Sequence, residues 1–132
     1  MSGYYFNLRN EIDEVLPNAI GTILDVGCGS GTTSKWLKQK YQCRAIGIEV
    51  DSKSAEIARA SLDKVFEANI EEEASFYSDY KNQIDVILML DVLEHIKDPW
   101  SYIEQIKPML SEGGVVVASI PNVRNIKALG PL

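Results

Sequence analysis

Asp25, three glycines at alternate positions (Gly27, Gly29 and Gly31), Glu49 and the pair Glu94–His95 are the residues whose types and spacing could do chemistry. The glycines sit in ILDVGCGSG, between an apolar run and a segment, Thr32-Thr33-Ser34, that opens a helical pattern. This reads as the end of a buried strand, a tight turn and a helix N-terminus. Glycine is required there wherever φ is positive or a ligand lies against the main chain. The helix start leaves amide N–H groups unpaired and carries the positive end of the dipole, which suits a polar or anionic part of a cofactor. An ordinary flexible loop is the plain alternative. Glu49 closes the next apolar run, AIGIEV, 18 residues beyond Gly31. A carboxylate has the two acceptor oxygens that a ribose diol requires, against the plainer reading of a surface glutamate at a strand end.

The glycine spacing argues against two common cofactor loops and leaves a nicotinamide dehydrogenase only as a distant third reading. A dinucleotide fingerprint would place its third glycine at position 32, where Thr32 stands. A P-loop would place a lysine directly after its last glycine, and Gly31 is followed by Thr32. Cys28, inside the turn, reads as a small residue filling it rather than as a nucleophile.

The elements that must position these residues alternate along the chain. Leu8, Ile12, Val15 and Leu16 have helical spacing up to Pro17, preceded by the aromatic cluster Tyr4-Tyr5-Phe6, a packing group or a lid. After the glycine turn, Trp36, Leu37 and Tyr41 mark one helix face, with Lys35, Lys38 and Lys40 on a solvated one. Asp51 caps a helix with the buried stripe Ala55, Ala58 and Leu62. A short strand covers 65–68, and residues 71–83 are an acidic surface loop or short helix. IDVILML, nearly all apolar, suits a strand covered on both faces. Asp98-Pro99 then starts a helix whose expected buried face is Trp100, Ile103, Ile106 and Leu110, before a fifth strand over 114–121. Strands alternating with helices predict a single α/β domain over 1–132, a Rossmann-like doubly wound, mostly parallel sheet of about five strands. Ligands in such sheets bind beyond the carboxyl ends of the strands, where all the chemistry-bearing residues fall.

Composition narrows the function classes. A net charge of -6 argues against a nucleic-acid surface, and no apolar run reaches the length of a membrane span. Two cysteines, one of them inside the turn, do not make a disulfide framework, so a reducing cytoplasm is expected.

The motifs DVGCGSG, GIEVD, ANIEE, DVILMLDVLEHIKDPW and LSEGGVVVASIPN together resemble the class I S-adenosylmethionine-dependent methyltransferases across nearly the whole chain. With YYFNLRNEIDEVLP and SIPNV, they also resemble small bacterial methyltransferases of cell-surface glycan pathways. The resemblance implies S-adenosylmethionine as methyl donor and a small-molecule or glycan-precursor acceptor. Carried over by position, Asp25 and the turn Gly27, Cys28, Gly29 and Gly31 would face the methionine part. Glu49 would hold the ribose and Val50 would pack on the adenine. Asn69, where the family pattern has an aspartate, and Ile70 would read the adenine edge, and Leu90 would meet the methionine amino group. His95 with Glu94 would serve the acceptor as base; a structural role and, with Asp91, a metal site are the alternatives, and no metal is assigned. The family fold continues with an antiparallel hairpin that this sequence is expected to lack. That reads as a C-terminally short domain, with a catalytically incomplete cofactor-binding fragment or interaction module as the alternative function. An uncovered fifth strand would then invite a homodimer through the sheet edge.

Overall fold

The computed structural model describes residues 11–72, 75–90 and 92–120, and the backbone of 125–128. Tyr4-Tyr5-Phe6, Leu8 and Asp91 lie outside the described residues. Among the described residues six strands form one sheet: β1 (Thr22–Val26), β2 (Arg44–Glu49), β3 (Lys64–Glu67), β4 (Ile84–Met89), β5 (Leu110–Ile120) and β6 (Asn125–Ala128). Their order is β3-β2-β1-β4-β5-β6. The first five are parallel, which gives the Rossmann-like sheet that the alternating pattern predicts. The chain runs outward from β1 through β2 to β3, then returns to lay β4 on the other side of β1. The reversal creates a crevice at the carboxyl ends of β1 and β4, where doubly wound sheets bind ligands.

β6 corrects one expectation. It pairs antiparallel with β5, from Ile120 opposite Asn125 to Val117 opposite Ala128. The sheet therefore has an antiparallel edge strand, and β5 is not its edge. β6 covers β5 only from Val117 to Ile120, so the ground for a homodimer through an open fifth strand shrinks to the part of β5 before Val117.

Helices cover both faces because strand residues alternate between them. Leu24, Ile46, Ile87 and Val116 face one way, with helix α3 (Pro99–Ile106) and a 3₁₀ segment, Ser75–Tyr80. Ile23, Ala45, Leu88 and Val117 face the other way, with α1 (Thr32–Tyr41) and α2 (Ser52–Arg59). Leu37 of α1 and Ala55 and Ala58 of α2 are fully buried, and Ile12, within the helical residues 11–15, joins that layer. Asp51 and Asp98 cap α2 and α3 by accepting from the Ser54 and Ser101 N–H groups at 2.9 and 3.1 Å. The lysine face of α1 is pinned to neighbours: Lys38 pairs with Asp63 at 3.1 Å, and Lys40 with Asp13.

One packing expectation differs. Trp100 is 67 % exposed, because Tyr102, Ile103 and Ile106 form the buried stripe of α3, while Leu110 opens β5. The acidic stretch after β3 is the expected short surface helix, but its aromatic residues anchor it. Phe76 stacks on Phe66 with centroids 4.3 Å apart, and buried Tyr77 shares a 2.5 Å hydrogen bond with the Tyr102 hydroxyl. Among the described residues no helix is long and apolar enough to cross a membrane.

Candidate active site

A cleft of about 680 Å³ opens at the switch point. Its floor is the glycine turn. The N–H groups of Gly27 and Cys28 both donate to the Ile48 carbonyl, at 2.8 and 3.0 Å, and so tie the turn to the end of β2. Gly27, Gly29 and Gly31 all have positive φ, at 72°, 58° and 88°. Space adds a second constraint at Gly27, where a Cβ would stand 2.6 Å from Val92 Cγ2. A Cβ at Gly29 would meet nothing within 4 Å, so the backbone there faces open space along the cleft. Thr32 and Thr33, in the first turn of α1, line the same wall, and no side chain caps that helix.

Glu49 is fixed on the opposite side of the turn. Its Oε1 accepts from the Gly29 N–H at 2.8 Å and its Oε2 from the Asp51 N–H at 2.9 Å. Each oxygen keeps a further lone pair. Asp25, on β1, is only 4 % exposed. Burial, reinforced by the Glu49 charge and opposed by the Ser34 hydroxyl, pushes its carboxyl up to about 7. Burial likewise raises the Cys28 thiol to about 12, with the Asp25 and Glu49 charges adding to it. Cys28 is thus a poor nucleophile. Its sulfur occupies the space that Gly47 leaves in β2, since a Cβ on Gly47 would stand 2.7 Å from it.

The loops after β3 and β4 complete the walls. Ala68, Asn69, Ile70 and Glu71 line one side, and Leu90, Val92, His95 and Ile96 the other. Asn69 Oδ1 accepts from the Glu71 N–H at 3.0 Å, which closes a local turn and leaves one lone pair for a ligand. Val50 stands at the rim, 63 % exposed. His95 ends a 3₁₀ segment, Leu93–His95, its side chain 77 % exposed and its Nε2 3.7 Å from Glu94 Oε1.

Of the residues singled out in the sequence, Asp25, Gly27, Cys28, Gly29, Glu49, Val50, Asn69, Ile70, Leu90 and His95 gather around this one cleft. Gly31 and Glu94 do not line it. Gly31 is buried against α2, where a Cβ would come 3.3 Å from that of Ala58, so its place is in helix packing. Glu94 flanks His95 without lining the cleft. Ser30, Thr32, Thr33, Glu71, Val92 and Ile96 are cleft residues that sequence reasoning did not single out for the site. The two threonines follow directly from the turn, whereas Val92 and Ile96 carry no local signal.

The methyltransferase domain family model matches residues 4–130. The chain belongs to that family. A ubiquinone biosynthesis O-methyltransferase of Shewanella halifaxensis is 32 % identical over 123 residues, covering 90 % of this chain and 51 % of the relative. The chain spans about half the length of the curated relatives it matches. Among solved structures, a plantazolicin methyltransferase in complex with SAH superposes with a TM-score of 0.65 at 22 % identity, over 75 % of this chain and 38 % of that one. A [4+2]-cyclase superposes with a TM-score of 0.69 at 21 % identity, over 85 % and 43 %. These likenesses establish the fold of the methyltransferase domain. The cyclase shows that the same fold also carries other chemistry.

Proposed function

We propose that the cleft binds S-adenosylmethionine and that the protein transfers its methyl group to a hydroxyl oxygen of a small-molecule acceptor, a glycan precursor included. One observation carries the reading: the Glu49 carboxylate, locked by the Gly29 and Asp51 amides at the end of β2, faces a glycine turn that leaves the backbone bare. The donor set fits the group. Glu49 at the turn and Asp25 beneath it bear carboxyl groups, and among the described lining residues only His95 is able to carry a positive charge. A ligand with a sulfonium and an ammonium finds its counter-charges there. S-adenosylmethionine supplies a methyl group on a positively charged sulfur that leaves readily.

The residues of the chain then have separate tasks. Glu49 would accept from the ribose hydroxyls, Val50 would pack on the adenine, and the lone pair left on Asn69 Oδ1 and the Ile70 backbone would read its edge. Asp25 and the amides of the glycine turn hold the methionine part, with the Leu90 backbone. Most of the rate enhancement in such a displacement is positioning. His95 takes the acceptor's hydroxyl proton as general base, and imidazole is the side chain most often used for that task. The oxygen of the curated relatives' named reaction supports a hydroxyl acceptor.

The test is formation of S-adenosylhomocysteine, read by mass spectrometry, with phenolic, catecholic and sugar-nucleotide acceptors. Turnover with a hydroxyl acceptor should fall about 100-fold in His95→Ala while cofactor affinity holds. Turnover with amine acceptors only, or none with cofactor unbound, contradicts the proposal.

A further inference from the structure

One side chain joins the two walls of the cleft. Glu71 Oε2 accepts a hydrogen bond from the backbone N–H of Lys97 at 3.2 Å, across 26 positions of sequence. Glu71 belongs to the wall after β3, next to Asn69 and Ile70, and Lys97 directly follows Ile96 of the wall after β4. Ala68, at the head of the first wall, donates its N–H to the Glu49 carbonyl at 3.1 Å; among the described residues the other backbone bonds within the walls are local. The Glu71 and Glu72 N–H groups donate to the Oδ1 and the backbone oxygen of Asn69, both at 3.0 Å. Across the cleft, the His95 and Ile96 N–H groups donate to the Val92 and Leu93 carbonyls at 2.9 and 3.3 Å. Lys97 supplies the next amide along, and its acceptor is the carboxylate of the opposite wall.

We propose that Glu71 is a positioning residue, a clasp that holds the His95 segment against the base-side wall and so sets how tightly the cleft closes on its cofactor. The role rests on the reading of the cleft as a cofactor site. Residues 68–71 are loop and 92–96 are a single 3₁₀ turn, Leu93–His95, with its flanks, so packing alone fixes their separation less firmly than it fixes the strands. Ile96 anchors the second loop by burial, and the clasp fixes its distance from the first. His95 lies two positions before Lys97, so slack in the clasp reaches the acceptor side as well. A carboxylate is suited to this, because a hydrogen bond from an amide to a charged acceptor is shorter and stronger than to a neutral one.

Glu71→Ala and Glu71→Gln separate a clasp from a surface charge. Glutamine keeps a carbonyl oxygen for the Lys97 N–H, and alanine removes the acceptor. The expected result is exchange of the Lys97 amide with deuterium about fivefold faster in Glu71→Ala, near wild type in Glu71→Gln, with an unchanged melting temperature. The KM for S-adenosylmethionine should rise about fivefold in the alanine variant and return in the glutamine variant. Equal Lys97 exchange in Glu71→Ala and wild type overturns the clasp, as does equal KM. Failure of the wild-type protein to bind S-adenosylmethionine overturns the cofactor reading and the clasp's effect on affinity with it. Binding by wild type and Glu71→Ala alike overturns the clasp alone.

Discussion

Asp25→Asn should change how stability depends on pH. The wild-type carboxyl is nearly sealed beneath the glycine turn, 4 % exposed, and burial beside Glu49 raises it from 3.8 to about 7. Between those two values the folded protein holds a proton that the unfolded chain has released. Folding is therefore favoured by this group at the acid end of that window, and the contribution is lost as pH rises through about 7. From about pH 5 to about pH 8 the loss amounts to about 3 kcal/mol. Asparagine has no proton to lose, so the variant escapes this decline. In urea unfolding at the two pH values, the difference in stability between variant and wild type should move by about 3 kcal/mol in the variant's favour on going to the higher pH. The offset at either pH depends on how the amide packs; the change between them does not. A difference that stays constant across the range would mean that Asp25 is ionised throughout, and the account of a buried, desolvated carboxyl would be wrong.

Two further outcomes follow from the packing beneath the turn. Gly47→Ala places a Cβ 2.7 Å from Cys28 Sγ and 3.0 Å from Leu62 Cδ1, so it should cost about 2 kcal/mol, visible as a lowered melting temperature; an unchanged melting temperature would refute the close approach. With its thiol raised to about 12, Cys28 should be alkylated at neutral pH on the order of a thousandfold more slowly in the native protein than in urea, as followed by peptide mass spectrometry; comparable rates would contradict the burial.

Much of this site was legible because its residues announce themselves locally. Gly27, Gly29 and Glu49 occur where a strand ends, and the nearly unbroken apolar run before Leu90 marks a strand buried on both faces. Asp98-Pro99 likewise carries its own capping signal. Other features depend on contacts that no spacing reveals. Trp100 and Ile103 lie three positions apart and look like one helix face, yet the sheet selects the stripe of Tyr102, Ile103 and Ile106. Gly31 looks like its two neighbours in the motif, but its positive φ lies over α2 rather than the cleft. β6 is four residues long, and its alternation of Asn125, Ile126, Lys127 and Ala128 is a weak signal beside the eleven-residue β5 it joins. Glu71 bridges 26 positions, a separation at which sequence pattern says nothing.

Calorimetric titration of the protein with S-adenosylmethionine, with Glu49→Ala and a dinucleotide control alongside, tests the central claim most directly. The account predicts saturable binding by the wild type, at least about tenfold weaker in Glu49→Ala, which loses the ribose contacts and both backbone clamps. The dinucleotide should give no heat. No binding by the folded wild type, equal binding by Glu49→Ala, or binding of the dinucleotide instead would contradict it.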